Sequence, residues 1–386
     1  MNKSLPKNAK SPRLKIGIVF DDSLDNPDGV QQYITTLGDW FTAHGHTVRY
    51  LVGETKLAAT RNDIYSLARN VHIRFNKNRL SVPLPVHREA ISAVLDREEF
   101  DVLHVQLPCS PMMGGRIVNQ AAEGTVVVGT FHIVGHHWMV NNAARLLGLW
   151  QRRMMQRFDH LVGVSPAAQE FAIKHFAAKD CLVLPNVVER QRFAAAKPIP
   201  HLMDGKVNIV FLGRLVERKG CQYLIEAVRR LRDRGAADNL RVLICGKGPL
   251  EHSLKQRVRH YQLQDIISFV GFVSEEDKPN YLASAELAIF PSTGGESFGI
   301  VLLEAMAAGA GVVMGGDNEG YRTVLGPQAN HLLFQPRHTQ IFADKIQLLL
   351  SNKKLRLQLH AWQAKEIIQY DVETVAPKLL QLYSHK

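Results

Sequence analysis

A chain of 386 residues exceeds what one hydrophobic core usually organises, so two domains of ordinary size are expected. Hydrophobic residues at 46% and charged residues at 22% are globular proportions, which excludes a disordered or fibrous protein. The formal net charge of +11 points to an anionic partner such as lipid headgroups, nucleic acid or phosphorylated metabolites, and charge alone does not choose among them. Zinc-finger spacing, an aromatic RNA-binding signature and a helix-turn-helix pattern are all missing, so nucleic acid is not an expected partner.

No apolar run approaches the roughly 18 to 20 residues that cross a bilayer, because Arg, Asp, His or Gly interrupts each one. Met1 to Lys15 is polar and basic without an apolar core, which reads as a short tail and not as a secretory signal. Cys109, Cys181, Cys221 and Cys245 lack the paired spacing of a zinc site or a disulfide framework, and reduced thiols in a cytoplasm fit them.

In chain order, Leu14 to Phe20 reads as a strand, Val30 to His44 as a helix and Thr47 to Val52 as the next strand. Asp101 to Gln106, Thr125 to Thr130, His160 to Val164 and Cys181 to Pro185 continue as buried strands. Phe193 to Pro200, rich in Ala, Lys and Pro, reads as a linker. The pattern then restarts with Val207 to Leu212, Leu240 to Cys245, Ile267 to Val270, Leu287 to Phe290 and Gly311 to Met314. The fold class is therefore α/β, two Rossmann-like doubly wound parallel-sheet domains facing a central cleft. The divisions are a disordered tail at 1–14, a first domain at 15–190, a linker at 191–205, a second domain at 206–365 and a C-terminal helix at 366–386 that packs back on the first domain.

The turn after the first strand lacks G-x-G-x-x-G, and Gly246-Lys247-Gly248-Pro249 lacks the Gly-Lys-Ser/Thr ending of a P-loop, which disfavours hydride transfer and ATP hydrolysis. Gly213-Arg214-Leu215-Val216-Glu217-Arg218-Lys219-Gly220 instead sets cations on a strand-to-helix loop, where an open α/β sheet holds its ligand. Cations fixed beside a departing nucleoside diphosphate lower its barrier by about 3 to 4 kcal/mol. The alternative is a solvated basic turn.

The segment Pro291 to Gly309 runs strand, glycine loop, helix, and a helix beginning near Phe298 would aim free N–H groups at a phosphate. Glu296 and Glu304, if both helical, would stand about 12 Å apart, the span of a nucleotide sugar. One capping and one surface-paired glutamate is the plainer alternative, and it leaves Gly294-Gly295 unexplained. Gly129-Thr130-Phe131-His132 ends a first-domain strand at the same cleft, where His132 is either a positioned donor or a structural histidine. His136 and His137 are weaker candidates, and no carboxylate completes a metal set with them.

Together these residues resemble the retaining glycosyltransferases of family four, which have the two-Rossmann architecture called GT-B. Within that family the chain is most similar to bacterial phosphatidylinositol α-mannosyltransferases, through Asn26 to Gln31, Asp101 to His104, Gly129 to His132, Gly213 to Gly220 and Gly294 to Gly309. The resemblance implies a retaining hexosyltransferase moving mannose from GDP-mannose to a phosphatidylinositol-like lipid. It would be cytoplasmic, peripheral on the inner face of the cell membrane, with an anionic lipid surface as partner. It implies that Gly213, Arg214 and Lys219 hold the diphosphate, and that Glu296 and Glu304 bind hexose and ribose. Gly295 and the backbone around Ser297, Phe298, Gly299 and Ile300 would hold phosphate and sugar, and Gly29 would let the first-domain loop approach. His132 would lie beside the reacting carbon and form the catalytic set with Arg214, Lys219 and Glu296. Phe75, Asn76 and Arg88 would contact the acceptor. No tightly bound cofactor and no metal site is implied; Mg2+ would enter only with the diphosphate.

Asp28 stands where such enzymes commonly carry a glycine, and the basic cluster of their acceptor helix is reduced to His87-Arg88. Arg145, Arg152, Arg153 and Arg157, alternating with Leu146, Leu149, Trp150, Met154 and Phe158, form a substitute interfacial pattern or an ordinary half-buried helix. A UDP-hexose donor with a soluble or other lipid acceptor, a non-catalytic nucleotide-sugar-binding module and an epimerase are the other readings. The oligomeric state is open.

Overall fold

The computed structural model describes residues 13–25, 28–75, 78–84, 86–133 and 138–385. The first half of the chain forms β1 (Lys15–Phe20), β2 (Thr47–Val52), β3 (Ile64–Ser66), the hairpin strands β4 (Asn70–Phe75) and β5 (Asn78–Pro83), β6 (Val102–Gln106), β7 (Val126–Phe131), β8 (His160–Gly163) and β9 (Leu182–Val183). Apart from the antiparallel hairpin, these pair in parallel in the order β3-β2-β1-β6-β7-β8-β9. The second half forms β10 (Val207–Leu212), β11 (Leu240–Cys245), β12 (Ile267–Gly271), β13 (Leu287–Phe290), β14 (Val312–Gly316) and β15 (Leu333–Phe334). Their order is β12-β11-β10-β13-β14-β15, again all parallel.

Both orders reverse once, between β1 and β6 and between β10 and β13. Doubly wound sheets open a crevice at such a reversal, outside the carboxyl ends of the strands. The segments leaving β1, β10 and β13 are therefore the ones that topology delivers to a common cleft. The strands are near-continuous apolar runs because helices cover both faces; in β1 every residue after Lys15 is buried.

The chain crosses between the domains twice, and the crossings are stitched together. Val188 N donates to Tyr370 O and Val372 N to Val188 O, both at 3.0 Å, and Arg190 Nε reaches Asp371 Oδ2 at 2.9 Å. Asp371 also caps the return helix Val372–Tyr383, whose Val375, Leu379 and Tyr383 lie in the first-domain core with Ile16, Ile18 and Phe41. At its end Tyr383 Oη lies 2.7 Å from His104 Nδ1 and His104 Nε2 lies 2.6 Å from Thr130 Oγ1, so both nitrogens of this buried imidazole are hydrogen-bonded.

Several features depart from the sequence reading. The linker expected over 191–205 is an ordered strap: Phe193 and Leu202 are buried, Lys197 N donates to Asn280 Oδ1 at 3.0 Å and Ile199 N to Ser284 Oγ at 2.8 Å. Its backbone is satisfied by side chains of the second domain, which composition does not reveal. The β4–β5 hairpin went unread, as did the edge strands β3 and β15, whose two or three residues carry too little periodicity. Residues 1–12 of the expected tail, with Asn26, Pro27, His136 and His137, lie outside the described residues.

Two outcomes follow. Leu379→Ala should lower unfolding stability by about 2 to 5 kcal/mol in denaturant titration, since it empties a fully buried site between the return helix and the first sheet; a loss below about 0.5 kcal/mol would mean that the helix is not docked. Burial holds the His104 imidazole down at about 3. The unfolded chain therefore takes up the proton first, and this contribution to stability, complete above about pH 6.5, is lost as pH falls toward 3, at about 1.4 kcal/mol per pH unit. His104→Gln should flatten that slope relative to the parent, and an unchanged slope would remove His104 from the acid response.

Candidate active site

The basic turn after β10 is folded against the glycine loop after β13. Gly220, at φ +73°, closes the turn, and a Cβ there would stand 1.8 Å from Pro291 O, so only glycine allows the approach. Arg218 O then accepts Thr293 N at 2.8 Å and Ser292 Oγ at 3.1 Å.

This contact brings three donors onto one carboxylate oxygen. Arg218 Nη1 lies 2.7 Å, Lys219 Nζ 2.9 Å and Ser292 Oγ 2.8 Å from Glu296 Oε1. Burial pushes the Glu296 carboxyl up, yet Lys219 and then Arg218 outweigh it and hold it below the usual range. Glu296 is thus an ionised group at the bottom of the cleft, and among the described residues its Oε2 accepts no hydrogen bond. Arg214, from the same turn, is exposed, lines the cleft and has no partner among the described residues.

The following helix is Ile300–Ala307, two residues later than the start expected near Phe298. Gly299 sits at φ +115°, and a Cβ would meet the Tyr321 ring at 2.6 Å, so the helix cannot extend back through it. Glu296 is consequently a loop residue, and the 12 Å helical separation from Glu304 does not apply. Leu302 N donates to Gly299 O at 2.9 Å, while Ile300 N and Val301 N have no intrahelical acceptor and would meet an anion with the positive end of the helix dipole. Ser165 Oγ of the first domain donates to Ser297 O at 3.0 Å, tying the loop across the cleft.

Glu304 is buried and already paired: Lys278 Nζ lies 2.7 Å from its Oε1 and 2.6 Å from Glu275 Oε2. Burial opposes the charge on Lys278, but Glu304 and Glu275 together hold its ammonium above the usual range. Arg192 Nη2 of the strap donates to Glu275 O at 2.7 Å, so the interdomain crossing reaches the same corner.

On the first-domain wall, Gly29 opens the helix Gly29–Ala43, and a Cβ there would come within 3.4 Å of Ile300 Cδ1. Two helix starts therefore meet across the cleft, with no acidic residue in the first turn of either. Asp28 takes the N-cap position of the first-domain helix without a side-chain capping bond. His132, just past β7, is buried beside Tyr33, with ring centroids 4.9 Å apart, and its Nε2–H donates to Gln106 Oε1 at 2.8 Å. Burial, with a smaller push from His104, lowers the imidazole to about 3, so it is neutral and presents Nδ1 as an acceptor. The donor role expected of His132 is thus taken up by Gln106, and what remains to it is acceptance.

The cleft between these walls has a volume of about 1110 Å3. It brings together His132 and Gly29 from one domain with Gly213, Arg214 and Lys219 from the other. Gly295, Glu296, Ser297 and Phe298 line it too, as do Gly299, Ile300 and Glu304. Of the proposed acceptor contacts only Arg88 has a described side chain, and it does not line the cleft. Arg88 opens the helix Arg88–Glu98 at an exposed position outside the lining, Phe75 ends β4, and Asn76 lies outside the described residues. Arg218 and Lys278, which fix the two glutamates, were missed as site residues. Arg218 was legible as the neighbour of Lys219 in the basic turn; Lys278 had no signal beyond a single cation following Glu275-Glu276-Asp277.

With this geometry in hand, the chain can be compared with known proteins. The Glycosyltransferase Family 4 pattern matches residues 27–192, and the pattern described as Glycosyl transferases group 1 matches residues 194–365. A phosphatidyl-myo-inositol mannosyltransferase of Mycobacterium tuberculosis is 31% identical over 380 residues, 96% of either chain. The protein of that name from Mycobacterium leprae is 29% identical over 374 residues, also 96% of both. In fold, the chain is similar to a glycosyltransferase of Rickettsia africae with a TM-score of 0.77 at 16% identity, covering 96% of this chain and 98% of that one. Anabaena Alr3699/HepE, solved in complex with UDP and glucose, gives 0.73 at 18% identity, covering 97% and 100%. Two parallel-sheet domains, a cation-clamped glutamate at their cleft and these matches over both halves lead to one conclusion: the chain belongs to glycosyltransferase family 4 and has the GT-B fold.

Proposed function

We propose that the chain transfers mannose from GDP-mannose to a phosphatidylinositol-like lipid at a membrane face, with retention of anomeric configuration. The observation that carries the reading is the Glu296 carboxylate clamped by Arg218 and Lys219 beside a helix start. In this reading the diphosphate lies over the first turn of Ile300–Ala307, against Lys219 and Arg214. The free Glu296 oxygen accepts a hexose hydroxyl, and the Glu304 oxygen not held by Lys278 accepts a ribose hydroxyl. The name carried by the mycobacterial relatives supports mannose and the lipid acceptor.

Charge builds on the leaving diphosphate as the sugar–phosphate bond breaks, and the fixed cations and N–H groups stabilise it by about 3 to 4 kcal/mol. An imidazole held near 3 is too weak a base to deprotonate a sugar-acceptor hydroxyl at neutral pH, so His132 positions the hexose and does not take the proton. The departing phosphate takes it instead, on the face from which the acceptor attacks, which is the route to retention. Asp22, Asp25, Asp28 and Glu54 line the first-domain wall. Carboxylates there suit a polyol and repel phosphate, so inositol hydroxyls would face this wall while the lipid phosphate points away.

A UDP-hexose donor is the second reading, favoured by the likeness to a structure solved with UDP and glucose. A thermal-shift panel separates the two, since a ligand at a hundredfold its dissociation constant adds about 2.7 kcal/mol; GDP-mannose should stabilise more than UDP-glucose, and the reverse order would favour the second. Glu296→Gln should lower kcat about 100-fold or more with the circular dichroism spectrum unchanged; near-normal turnover would remove Glu296 from the reaction.

A further inference from the structure

The helix Trp138–Trp150 and the short helix Arg152–Met155 connect β7 to β8 in the first domain. Among the described side chains their inward side is packed. Ala144, Met154 and Met155 are buried, and Gly148 packs so closely on the helix Pro166–Phe176 that a Cβ would stand 1.8 Å from His175 O. The outward side carries large apolar groups. Leu146 is 70%, Leu149 67% and Trp150 74% exposed. Spaced at i, i+3 and i+4, they share one face, which core packing does not explain.

Charge along this segment is of one sign. Arg145, Arg152 and Arg153 are exposed, and none of them forms an ion pair with a described residue. No Asp or Glu occurs anywhere from Trp138 to Phe158. Scattered exposed leucines need no explanation, but a tryptophan and two leucines on one helical face, rimmed by unpaired arginines, have the make-up of a helix that lies in a membrane interface.

We infer that this face docks the protein on an anionic lipid bilayer. Leu146, Leu149 and Trp150 enter the interfacial layer, and the three arginines meet headgroup phosphates. The inference deepens the lipid-acceptor reading and rests on it for its purpose: it seats the domain whose cleft wall carries His132, six residues before this helix (138 − 132), on the surface where the acceptor resides. A second copy of the chain is disfavoured as the occupant, because a two-fold contact would press arginines against arginines with no carboxylate between them.

The test is flotation of the full chain with phosphatidylglycerol-containing vesicles and with pure phosphatidylcholine vesicles, alongside donor hydrolysis without acceptor as a check on the cleft. The parent should float with the anionic vesicles only and be released by salt. Leu149→Ser with Trp150→Ser should weaken that binding about tenfold or more. Arg152→Ala with Arg153→Ala should weaken it about fivefold per arginine. Neither pair should change Tm or donor hydrolysis. A parent that floats with neither vesicle, or variants that float as well as the parent, would overturn the docking face. So would a parent dimer that the Leu149/Trp150 pair dissociates while vesicle binding persists. Vesicle binding that tracks these variants, with no lipid accepting a hexose, would uphold the face and refute the acceptor reading.

Discussion

The cleft depends on keeping one glutamate charged where water scarcely reaches. Removing a carboxylate from water costs several kcal/mol, and a buried ion is tolerated only when paired and hydrogen-bonded. Glu296 meets this condition through three donors on one oxygen, two of them cationic. The arrangement constrains everything nearby. Gly220 must let the basic turn reach Pro291, Ser292 must bridge the turn and the carboxylate, and Gly299 must delay the helix so that its N–H groups open beside the ion.

The wider consequence is a cleft of divided polarity. Arg214, Arg218, Lys219, Lys247 and Lys278 line the second-domain side against Glu275, Glu296 and Glu304, which leaves positive charge in excess there. Asp22, Asp25, Asp28 and Glu54 line the first-domain side, with Lys56 among them. In the proposed reading a diphosphate is drawn to one wall and a polyhydroxylated acceptor to the other, so the field would orient both partners before any contact specific to sugar is made. The stitching of Val188 to Tyr370 and Val372 joins the two crossings, so any change in the angle between the walls must pass through that paired strip.

Much of this was legible in the sequence, and the exceptions have physical causes. Runs such as Thr47–Val52, Val207–Leu212 and Leu287–Phe290 are strands at the residues read, because parallel strands covered on both faces are unbroken apolar runs. The return helix Val372–Tyr383 falls inside the C-terminal helix read over 366–386, where apolar residues recur at helical spacing. The glycine loop was read as a phosphate site, and the start of its helix was misplaced because the block lies in the left-handed backbone of Gly299, a conformation that letters do not display. Pairing was the least legible level: that Glu304 is spoken for by Lys278, or His132 by Gln106, depends on side chains 26 positions apart that only the packed sheets bring together.

The most direct measurement is a crystal structure of the full chain with an intact nucleotide diphosphate sugar. The account requires phosphate oxygens at hydrogen-bond distance, about 3 Å, from the backbone nitrogens at Gly299 and Ile300 and from Lys219 Nζ, with a hexose hydroxyl on the free oxygen of Glu296. A diphosphate seated elsewhere, or a Glu296 that still meets only Arg218, Lys219 and Ser292 with the sugar out of reach, would contradict it.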